Sequence, residues 1–403
     1  MQDNTIKLPR LRLKKSEDKR LRAGHLWIYS NEVDTRVTSL KQFRAGDCVT
    51  LENAQGRPVA SAYINPNSLI CARVFSRRPD QVFDQALITQ RLQRALAWRM
   101  RCYDKPFYRL CYGESDFLPG VVIDRYGDYC VVQLTTAGAE RCKQDVKLAL
   151  QALLSPTGIV LRNDTATREL EGLPAYTEIL HGDVPDEILI EENHTGFYAL
   201  PISGQKTGWF YDHRSNRKLL QEYAKGKRVL DVFSYSGAWG MAALNAGAVQ
   251  ATFVDASASA LDYVAQHARL NGFTDRFATH KGDAFEVLTN LQQAGARFEI
   301  VVVDPPAFVK RRKDLAAGLR AYFEINRLAL SLLEPDGLLV SASCSYHVSA
   351  DDLLNEVRKA ALQTHWDMQV IAQGHQAPDH PIHPAMPETR YIKAFFCRVV
   401  QRA

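Results

Sequence analysis

Short apolar runs separated by turn residues occupy the first 76 positions of the chain. Four of these runs have the alternation or the β-branched content of strands, at residues 10–13, 48–51, 59–64 and 70–75. Glycine, asparagine and proline mark the turns between them, at residues 45–47, 55–56 and 65–67. The pattern predicts a small, mostly β domain over residues 1–76.

The period of the pattern changes after Pro79, where residues 82–101 predict one long amphipathic helix that connects two domains. Its arginines Arg91, Arg94, Arg99 and Arg101 are expected to point outward. The following stretch predicts an α+β domain with a hairpin at 121–134, a helix at 144–154, a strand at 158–162 and a second hairpin at 187–200. Residues 77–200 are therefore predicted to hold the connector helix and a central α+β domain.

From residue 201 onward, apolar runs alternate with helical stretches, and the runs end in polar groups. Residues 229–233 contain Asp231 and lead into a turn with Gly237, residues 252–255 end in Asp255, and residues 281–285 contain Asp283. The apolar residues 300–303 end in Asp304, and residues 338–341 end near Cys344. Ligands bind at the carboxyl ends of strands in open parallel sheets. The pattern predicts an α/β domain with a binding site over residues 201–403.

Length and composition limit the class of protein. The chain has 403 residues, 46% of them hydrophobic and 24% charged, which is typical of a soluble protein with two or three domains. No apolar run is long enough to cross a bilayer, and the N-terminal residues lack the apolar core of a secretory signal, so we expect a cytoplasmic protein without membrane contact. The eight cysteines form no C-x-x-C pair, which indicates neither a metal site nor disulfides. Most of them are expected to be buried.

Basic residues are concentrated in two places, although the net charge is only +5. The first cluster extends from Lys7 to Arg22 and the second from Lys310 to Lys313. Such local excess suits contacts with phosphates. A solvated basic face is the alternative interpretation, and it is weaker for the second cluster, which follows directly on the Asp304 turn.

The motifs DVFSYSG, VDAS, GDAF, DPPAF and SCS, in this order, resemble those of class I S-adenosylmethionine-dependent methyltransferases. More narrowly, the chain resembles the bacterial ribosomal large-subunit methyltransferase I family, which makes 5-methylcytosine. The stretches at 113–127, 204–214 and 387–399 also resemble that family, and residues 24–29 resemble the opening of a PUA domain, an RNA-binding module. The implied fold has a PUA-like domain, a central α+β domain and a Rossmann-like C-terminal domain with a mainly parallel, seven-stranded sheet.

The resemblance implies S-adenosylmethionine as the cofactor. The glycine loop lacks the G-x-G-x-x-G pattern of nicotinamide dinucleotide sites, which argues against an oxidoreductase. A helix predicted at residues 212–223 precedes the loop, and the resemblance implies that this segment contacts the edge of the cofactor. The simpler alternative to a cofactor contact is that Asp212 caps the helix and Arg214 forms an ion pair on the surface. The expected cofactor contacts are Asp231 with the turn residues Phe233, Ser234, Tyr235, Ser236 and Gly237, then Asp255 with Ala256, then Asp283 with Ala284, and Gln205, Tyr211 and Arg214 at the edge.

Two residues carry the chemistry that the resemblance implies, Cys344 and Asp304. C5 of cytosine is not nucleophilic until C6 is attacked, and a cysteine thiolate supplies that attack. Cys344 is expected to add to C6 while Asp304 holds the ring at N3. Many RNA 5-methylcytosine enzymes carry a second cysteine after the prolines of this motif, and Ala307 at that position matches the single-cysteine pattern of the resembled family. No general base is identified, since His347 reads more simply as a solvated loop residue.

The expected partner is ribosomal RNA of the large subunit, and the family resemblance suggests a homodimer. A flipped base is expected against Pro305, Pro306 and Phe308. Phosphate contacts are expected from Lys14, Arg20, Arg22, Lys310, Arg311 and Arg312. Trp27 and Tyr29 are expected to close the core of the first domain rather than to stack on bases.

Two other functions remain open at this stage. One is a methyltransferase that acts on a base nitrogen or on another RNA, although Ala307 separates the prolines from Phe308 and so departs from the amino-directed pattern. The other is a non-catalytic RNA-binding protein that keeps the cofactor fold as a structural element.

Overall fold

The computed structural model describes residues 7–402. The chain forms two compact units: the first comprises Met1–Ile188, Ala199–Tyr211 and Pro378–Thr389, and the second comprises Leu189–Tyr198, Asp212–Ala377 and Arg390–Ala403. Residues 1–6 and 403 lie outside the described residues. The start of the predicted first domain, and of the N-terminal segment that is expected to lack a secretory signal, lies among them. The domain boundaries 1–76, 77–200 and 201–403 stay predictions.

The first unit begins with a small sheet whose strands, within the described residues, follow the order β1-β3-β4-β5-β2. Strand β1 pairs with β3 in parallel and the other pairs are antiparallel. Apolar residues from all five strands form one buried core, which includes Leu11, Val49 and Val74. The elements are β1 Arg10–Arg12, α1 Asp18–Arg22, β2 Trp27–Ile28, β3 Asp47–Glu52, β4 Pro58–Ile64 and β5 Ala72–Ser76.

The long helix α2 spans Gln85–Cys102, and the Asp84 side chain caps it by accepting a hydrogen bond from the Leu87 N–H. One part of the prediction for this helix is wrong. Arg99 does not point outward: it is 1% exposed, and its guanidinium donates two hydrogen bonds to the Asp116 carboxylate, at 2.7 and 2.6 Å. Helical periodicity predicted that Arg99 is on the solvent-facing side of α2. A buried arginine needs a partner of opposite charge, and the partner here, Asp116, lies elsewhere in the chain.

A second sheet of the first unit has the order β10-β9-β8-β7-β6 across the described residues. Its strands pair antiparallel except β8 with β9. The predicted hairpin at 121–134, the helix at 144–154 and the strand at 158–162 are confirmed. The elements are β6 Phe107–Tyr112, β7 Val121–Tyr126, β8 Tyr129–Leu134, α3 Ala137–Arg141, α4 Lys143–Leu154, β9 Gly158–Asn163 and β10 Tyr176–Gly182.

A two-stranded hairpin follows, with β11 at Ile188–Glu192 and β12 at Thr195–Ala199. Asn193 and His194 between them both have positive φ, at 50° and 64°. Two consecutive left-handed residues are the requirement of a tight two-residue hairpin turn. The predicted second hairpin is confirmed.

The second unit is built on a mainly parallel sheet of seven strands, in the order β15-β14-β13-β16-β17-β19-β18 for the part of the chain described. The strands are β13 Arg228–Val232, β14 Gln250–Asp255, β15 Phe277–Lys281, β16 Phe298–Val303, β17 Leu333–Ser343, β18 Trp366–Gly374 and β19 Lys393–Gln401. The five strands from β15 to β17 in this order are parallel, whereas β19 is antiparallel to both of its neighbours. The predicted fold class is confirmed.

Helices on both faces bury this sheet: α5 Arg214–Ala224, α6 Ala238–Asn245, α7 Ala258–Leu270, α8 Ala284–Gln293, α9 Leu315–Ser331 and α10 Ala350–Gln363. The helix predicted at 212–223 begins at Arg214 with His213 as its N-cap, so capping by Asp212 is wrong. The run 281–285 is not a strand, because β15 ends at Lys281 and Asp283 caps α8. In residues 7–402, no helix has the length and apolar character that crossing a membrane requires.

Candidate active site

The carboxyl ends of four adjacent strands, β14, β13, β16 and β17, carry the central residues of the predicted site. Asp231 and Asp255 lie on the first two strands, while Asp304 and Cys344 directly follow the other two. The second half of each strand is mostly buried and apolar, and parallel strands end at the same edge of the sheet, so the polar side chains at these ends lie near one another. The structure therefore brings these four residues together.

Asp231 is fully buried and only partly satisfied. One carboxylate oxygen accepts a hydrogen bond from the Gly240 N–H at 2.9 Å, whereas Oδ1 has no hydrogen-bond partner among the described residues. Burial, together with the charges of Asp304 and Asp255, raises the pKa of this carboxyl group to about 8. A buried acceptor in a negative field is a good site for a cationic group such as an ammonium.

The loop after β13 turns through three left-handed residues, since Phe233, Tyr235 and Gly237 have φ values of 61°, 47° and 84°. A Cβ on Gly237 would lie 2.9 Å from the Phe253 ring, so a side chain would not fit there. Strained backbone of this kind is kept where a ligand needs close approach to the chain. Ser234 and Ser236 are both buried in the same turn.

Asp255 is held rigidly at the end of β14. Its two carboxylate oxygens accept hydrogen bonds from the N–H groups of Tyr235 and Ser257, both at 2.8 Å. Each oxygen keeps a second lone pair, so the carboxylate can still accept hydroxyl donors. The next residue, Ala256, is exposed.

Asp283 and Ala284 form the start of α8. The Asp283 side chain accepts hydrogen bonds from the N–H groups of Phe285 and Glu286, at 2.9 and 3.3 Å, while Ala284 is 5% exposed. The acceptor-rich, narrow turns at the ends of β13, β14 and β15 fit the cofactor that the sequence resemblance implies, which carries an ammonium, two ribose hydroxyls and a flat adenine.

The three residues predicted at the edge of the cofactor occupy different environments. Arg214 belongs to the second unit, where it is buried and its Nε lies 3.4 Å from Glu192. Gln205 and Tyr211 belong to the first unit. Tyr211 is buried, stacks on Tyr126 at 5.6 Å and donates its hydroxyl proton to the Arg125 carbonyl, whereas Gln205 is exposed. Their roles as cofactor contacts stay predictions.

Asp304 is oriented by two rings that the sequence did not single out. The Trp239 indole N–H donates to Oδ2 at 2.9 Å. Nε2 of His213 lies 3.5 Å from Oδ1, which is too long for a strong hydrogen bond. Because both rings are buried, the carboxylate has one preferred orientation.

Cys344 is half-buried, in a turn that several hydrogen bonds fix. The Tyr322 hydroxyl lies 2.7 Å from the Ser343 Oγ and 3.0 Å from the Ser345 Oγ, and the latter also accepts from the Val309 N–H. The Cys344 Sγ lies 4.0 Å from the Pro305 carbonyl oxygen. Tyr322, in the interior of α9, was not singled out because a tyrosine at an apolar position in a helix reads as packing.

The residues predicted to contact a base differ in accessibility. Pro305 is buried and Pro306 is exposed. Phe308 is partly buried and lies in an aromatic cluster, 4.9 Å from the Tyr322 ring and 6.1 Å from the Phe233 ring. The structure thus gives Phe308 a packing role, and its contact with a base stays a prediction.

The basic residues predicted to contact phosphates are on the surface. The four residues from Lys310 to Lys313 are exposed and directly follow the Asp304 turn. In the first unit, Lys14 is exposed, whereas Arg20 pairs with Glu32 at 2.8 Å and Arg22 with Asp18 at 3.3 Å. The acidic partners partly neutralise those two arginines, and Arg311 of the second cluster likewise pairs with Asp314 at 3.2 Å.

Most of the cysteines fit the predicted packing role. Five of the eight are buried, namely Cys71, Cys111, Cys130, Cys142 and Cys397. Burial raises the pKa of four of these thiols, those of Cys71, Cys130, Cys142 and Cys397, to about 12. Thiols of this kind are unreactive at neutral pH.

Known families and proteins resemble this chain over almost its whole length. The PUA-like domain family matches residues 11–77, and the S-adenosylmethionine-dependent methyltransferase family matches residues 129–388. Ribosomal RNA large subunit methyltransferase I of Yersinia pestis bv. Antiqua (strain Angola) is 38% identical over 397 residues, which is 97% of this chain and 99% of that protein. The protein of the same name from Yersinia pseudotuberculosis serotype O:3 (strain YPIII) matches to the same extent.

Solved structures share the fold. A candidate S-adenosylmethionine-dependent methyltransferase from Streptococcus mutans superimposes with a TM-score of 0.82 and 20% identity, over 97% of this chain and 100% of that one. A candidate methyltransferase solved in complex with S-adenosylhomocysteine gives the same TM-score and coverage at 19% identity.

Proposed function

Because the chain belongs to the S-adenosylmethionine-dependent ribosomal RNA large subunit methyltransferase I family, we propose that it methylates C5 of a cytosine in large-subunit ribosomal RNA. It is a methyltransferase, and its cofactor is S-adenosylmethionine. The observation that carries the choice of C5 is the position of Cys344, whose Sγ lies 4.0 Å from the carbonyl of Pro305, the residue that follows Asp304. A thiol beside a fixed carboxylate is the pair that C5 chemistry needs.

S-adenosylmethionine supplies an electrophilic methyl group on a sulfonium. In the proposed site, Asp231 and the turn at 233–237 hold its amino-acid end, Asp255 holds the ribose and the Asp283 turn holds the adenine. The carboxylates of Asp255 and Asp304 make this edge of the sheet negative, which favours a cationic cofactor beside Asp231. Buried Asp231 Oδ1 is the strongest support for this placement, since an ammonium would satisfy it.

The proposed reaction begins with attack of the Cys344 thiolate on C6 of a flipped cytosine, which forms an S–C6 bond and makes C5 nucleophilic. Asp304, oriented by the Trp239 N–H, holds the ring at N3 through a proton shared between the carboxylate and that nitrogen, and this proton balances the charge that enters the ring on addition. After C5 is methylated, loss of the C5 proton restores the double bond and breaks the S–C6 bond. The thiolate is thereby returned.

Transfer of labelled methyl groups to RNA tests the proposal directly. The enzyme is incubated with labelled cofactor and with large-subunit RNA from a strain that lacks the corresponding enzyme, and the RNA is then digested to nucleosides. We expect the label in 5-methylcytidine. Label in a base methylated on nitrogen would favour the nitrogen-directed alternative, and the absence of label from RNA and from ribosomal particles would favour the non-catalytic one.

RNA affinity is proposed to depend on the exposed cluster Lys310–Lys313, beside the Asp304 turn. Reversing two charges, in Lys310→Glu with Arg311→Glu, is expected to weaken RNA binding and to reduce the slope of log K against log salt by about 1.5, because fewer counterions are released. Filter binding at several salt concentrations measures the slope.

The matched control is Lys225→Glu with Lys227→Glu, two exposed residues at the opposite end of β13. This control should leave the slope unchanged. If both double variants give the wild-type slope, the Lys310–Lys313 cluster is only a solvated face.

Two further proposals rest on the family resemblance and on the substrate. The enzyme is proposed to act in the cytoplasm, where ribosomal RNA is found in bacteria, and to form a homodimer. Light scattering during size-exclusion chromatography measures the mass directly, and a mass near the 45.3 kDa of one chain would contradict the dimer.

A further inference from the structure

Lys393 is a buried lysine at the start of β19, on the strand that runs antiparallel to β17. Its partner across the two strands is Ser343, so the lysine lies beside the turn that carries Cys344. The side chain is buried, and Nζ donates a hydrogen bond of 2.6 Å to the Ser345 carbonyl oxygen. A lysine that is nearly enclosed next to a half-buried cysteine is unusual, because lysine is almost never buried without a reason.

The charges around Lys393 can be traced to each neighbouring element. Burial lowers the pKa of its ammonium to about 8, the nearby Cys344 sulfur raises it, Arg390 lowers it and Asp352 at the start of α10 raises it. On the α9 side, the Tyr322 hydroxyl contacts the Ser345 side chain, but burial raises its pKa to about 12, so this hydroxyl is neutral at physiological pH. Among the neighbouring side chains, Cys344 thus has the largest effect on the Lys393 ammonium.

We propose that Lys393 takes the thiol proton of Cys344, so that the nucleophile is a thiolate paired with the Lys393 ammonium when cytosine enters the site. The S–H bond breaks and an N–H bond forms on Nζ, with no other reactant. Burial lowers the pKa of the Lys393 ammonium to about 8, so part of the lysine is neutral near physiological pH and can accept the thiol proton. Lys393 acts through Cys344 and is therefore a positioning residue.

The same pair assists the end of the reaction. When the S–C6 bond breaks, the departing thiolate meets the ammonium that balanced its charge before addition. The ammonium has no lone pair, so it does not accept the C5 proton, which must leave to a different acceptor. The inference rests on the proposed function, since it assigns Cys344 as the nucleophile.

The pH dependence of Cys344 alkylation tests the proposal without RNA, cofactor or turnover. The enzyme is treated with iodoacetamide from pH 6 to 10, and the modified Cys344 peptide is quantified by mass spectrometry. In Lys393→Gln the amide still donates to the Ser345 carbonyl, but the charge is gone. We expect the midpoint of alkylation to rise by at least about one pH unit in this variant, which is about a tenfold slower reaction at pH 7.

Two variants complete the design. Lys393→Arg keeps the positive charge and should hold the midpoint near that of the wild type, whereas Lys359→Met, a change of an exposed lysine on α10, should leave it unchanged. An unchanged midpoint in folded Lys393→Gln would overturn the proposal and leave Lys393 as a tether for Ser345. If Lys393→Gln does not fold, a raised midpoint in Lys393→Arg overturns the proposal, and a wild-type midpoint supports it.

The two failures are distinguishable. If Cys344→Ala still methylates RNA, the proposed function is wrong whatever the alkylation profiles show. If Cys344→Ala is inactive but the alkylation midpoint of folded Lys393→Gln equals that of the wild type, the proposed function stands and Lys393 has no part in preparing the thiolate.

Discussion

Replacing Cys344 with alanine is expected to lower methyl transfer by at least about 10⁴-fold, because an enzyme that loses its covalent nucleophile loses most of its rate. Binding of S-adenosylhomocysteine should be unchanged, since Asp231, Asp255 and Asp283 are untouched. The melting temperature should also be nearly unchanged, because Cys344 is only half-buried and the substitution removes a single sulfur. Single-turnover kinetics, calorimetry and thermal melts measure the three quantities.

A covalent adduct gives the second readout for Cys344. RNA that carries 5-fluorocytidine at the target should trap the wild-type enzyme in a complex that survives denaturation, because fluorine at C5 cannot leave as a proton does. Cys344→Ala should form no adduct. Cys102→Ala is the matched control, because Cys102 is also partly exposed and belongs to the first unit. A Cys344→Ala enzyme that methylates at a near-normal rate would instead favour the nitrogen-directed reaction.

The sequence predicts most of the fold because the apolar runs of a parallel sheet are continuous and end in recognisable polar groups. Asp255 and Asp304 come directly after such runs, and the shared edge of the sheet follows from the strand pattern alone. The limits of α4, Lys143–Leu154, also agree to within one residue with the helix predicted at 144–154. Local information was sufficient wherever the residue and the strand that positions it are adjacent in sequence.

The supporting residues of the site could not be predicted in this way, because each acts across a large distance in sequence. Lys393 reaches the Cys344 turn only because β19 pairs with β17, and Trp239 reaches Asp304 only because β13 lies beside β16. Arg99 is the opposite case, in which a helical pattern predicted exposure and the distant Asp116 made burial stable. The lysine at the start of the apolar strand 393–401 is a sequence signal that indicates a special environment.

The folded-state pKa of Asp231, about 8, lies well above the value of 3.8 for an unburied aspartate, and this difference makes stability depend on pH. Without cofactor, the folded enzyme keeps a proton on Asp231 that the unfolded chain releases above about pH 4. The resulting stabilisation is fully present below about pH 4 and is lost as the pH rises through about 8. About four pKa units correspond to an upper bound on the order of 5 kcal/mol.

Asp231→Asn removes this titration, and we therefore expect the variant without cofactor to melt at a higher temperature than the wild type at pH 8.5, with a smaller difference at pH 5. The same variant should bind S-adenosylhomocysteine at least about 10- to 100-fold more weakly, because a charge-assisted hydrogen bond to the ammonium is lost.

Calorimetry at pH 7 in buffers of different ionisation enthalpy measures the protons released on binding. The wild type should release about one proton, since an ammonium beside Oδ1 favours the ionised carboxylate, and Asp231→Asn should release none. Equal proton release by the two proteins would mean that Asp231 is already ionised in the free enzyme. Weaker binding without higher stability would separate the two effects and assign the carboxylate to ligand recognition alone. Higher stability together with weaker binding would show that the buried, half-satisfied acid costs the fold stability and is kept for the cofactor.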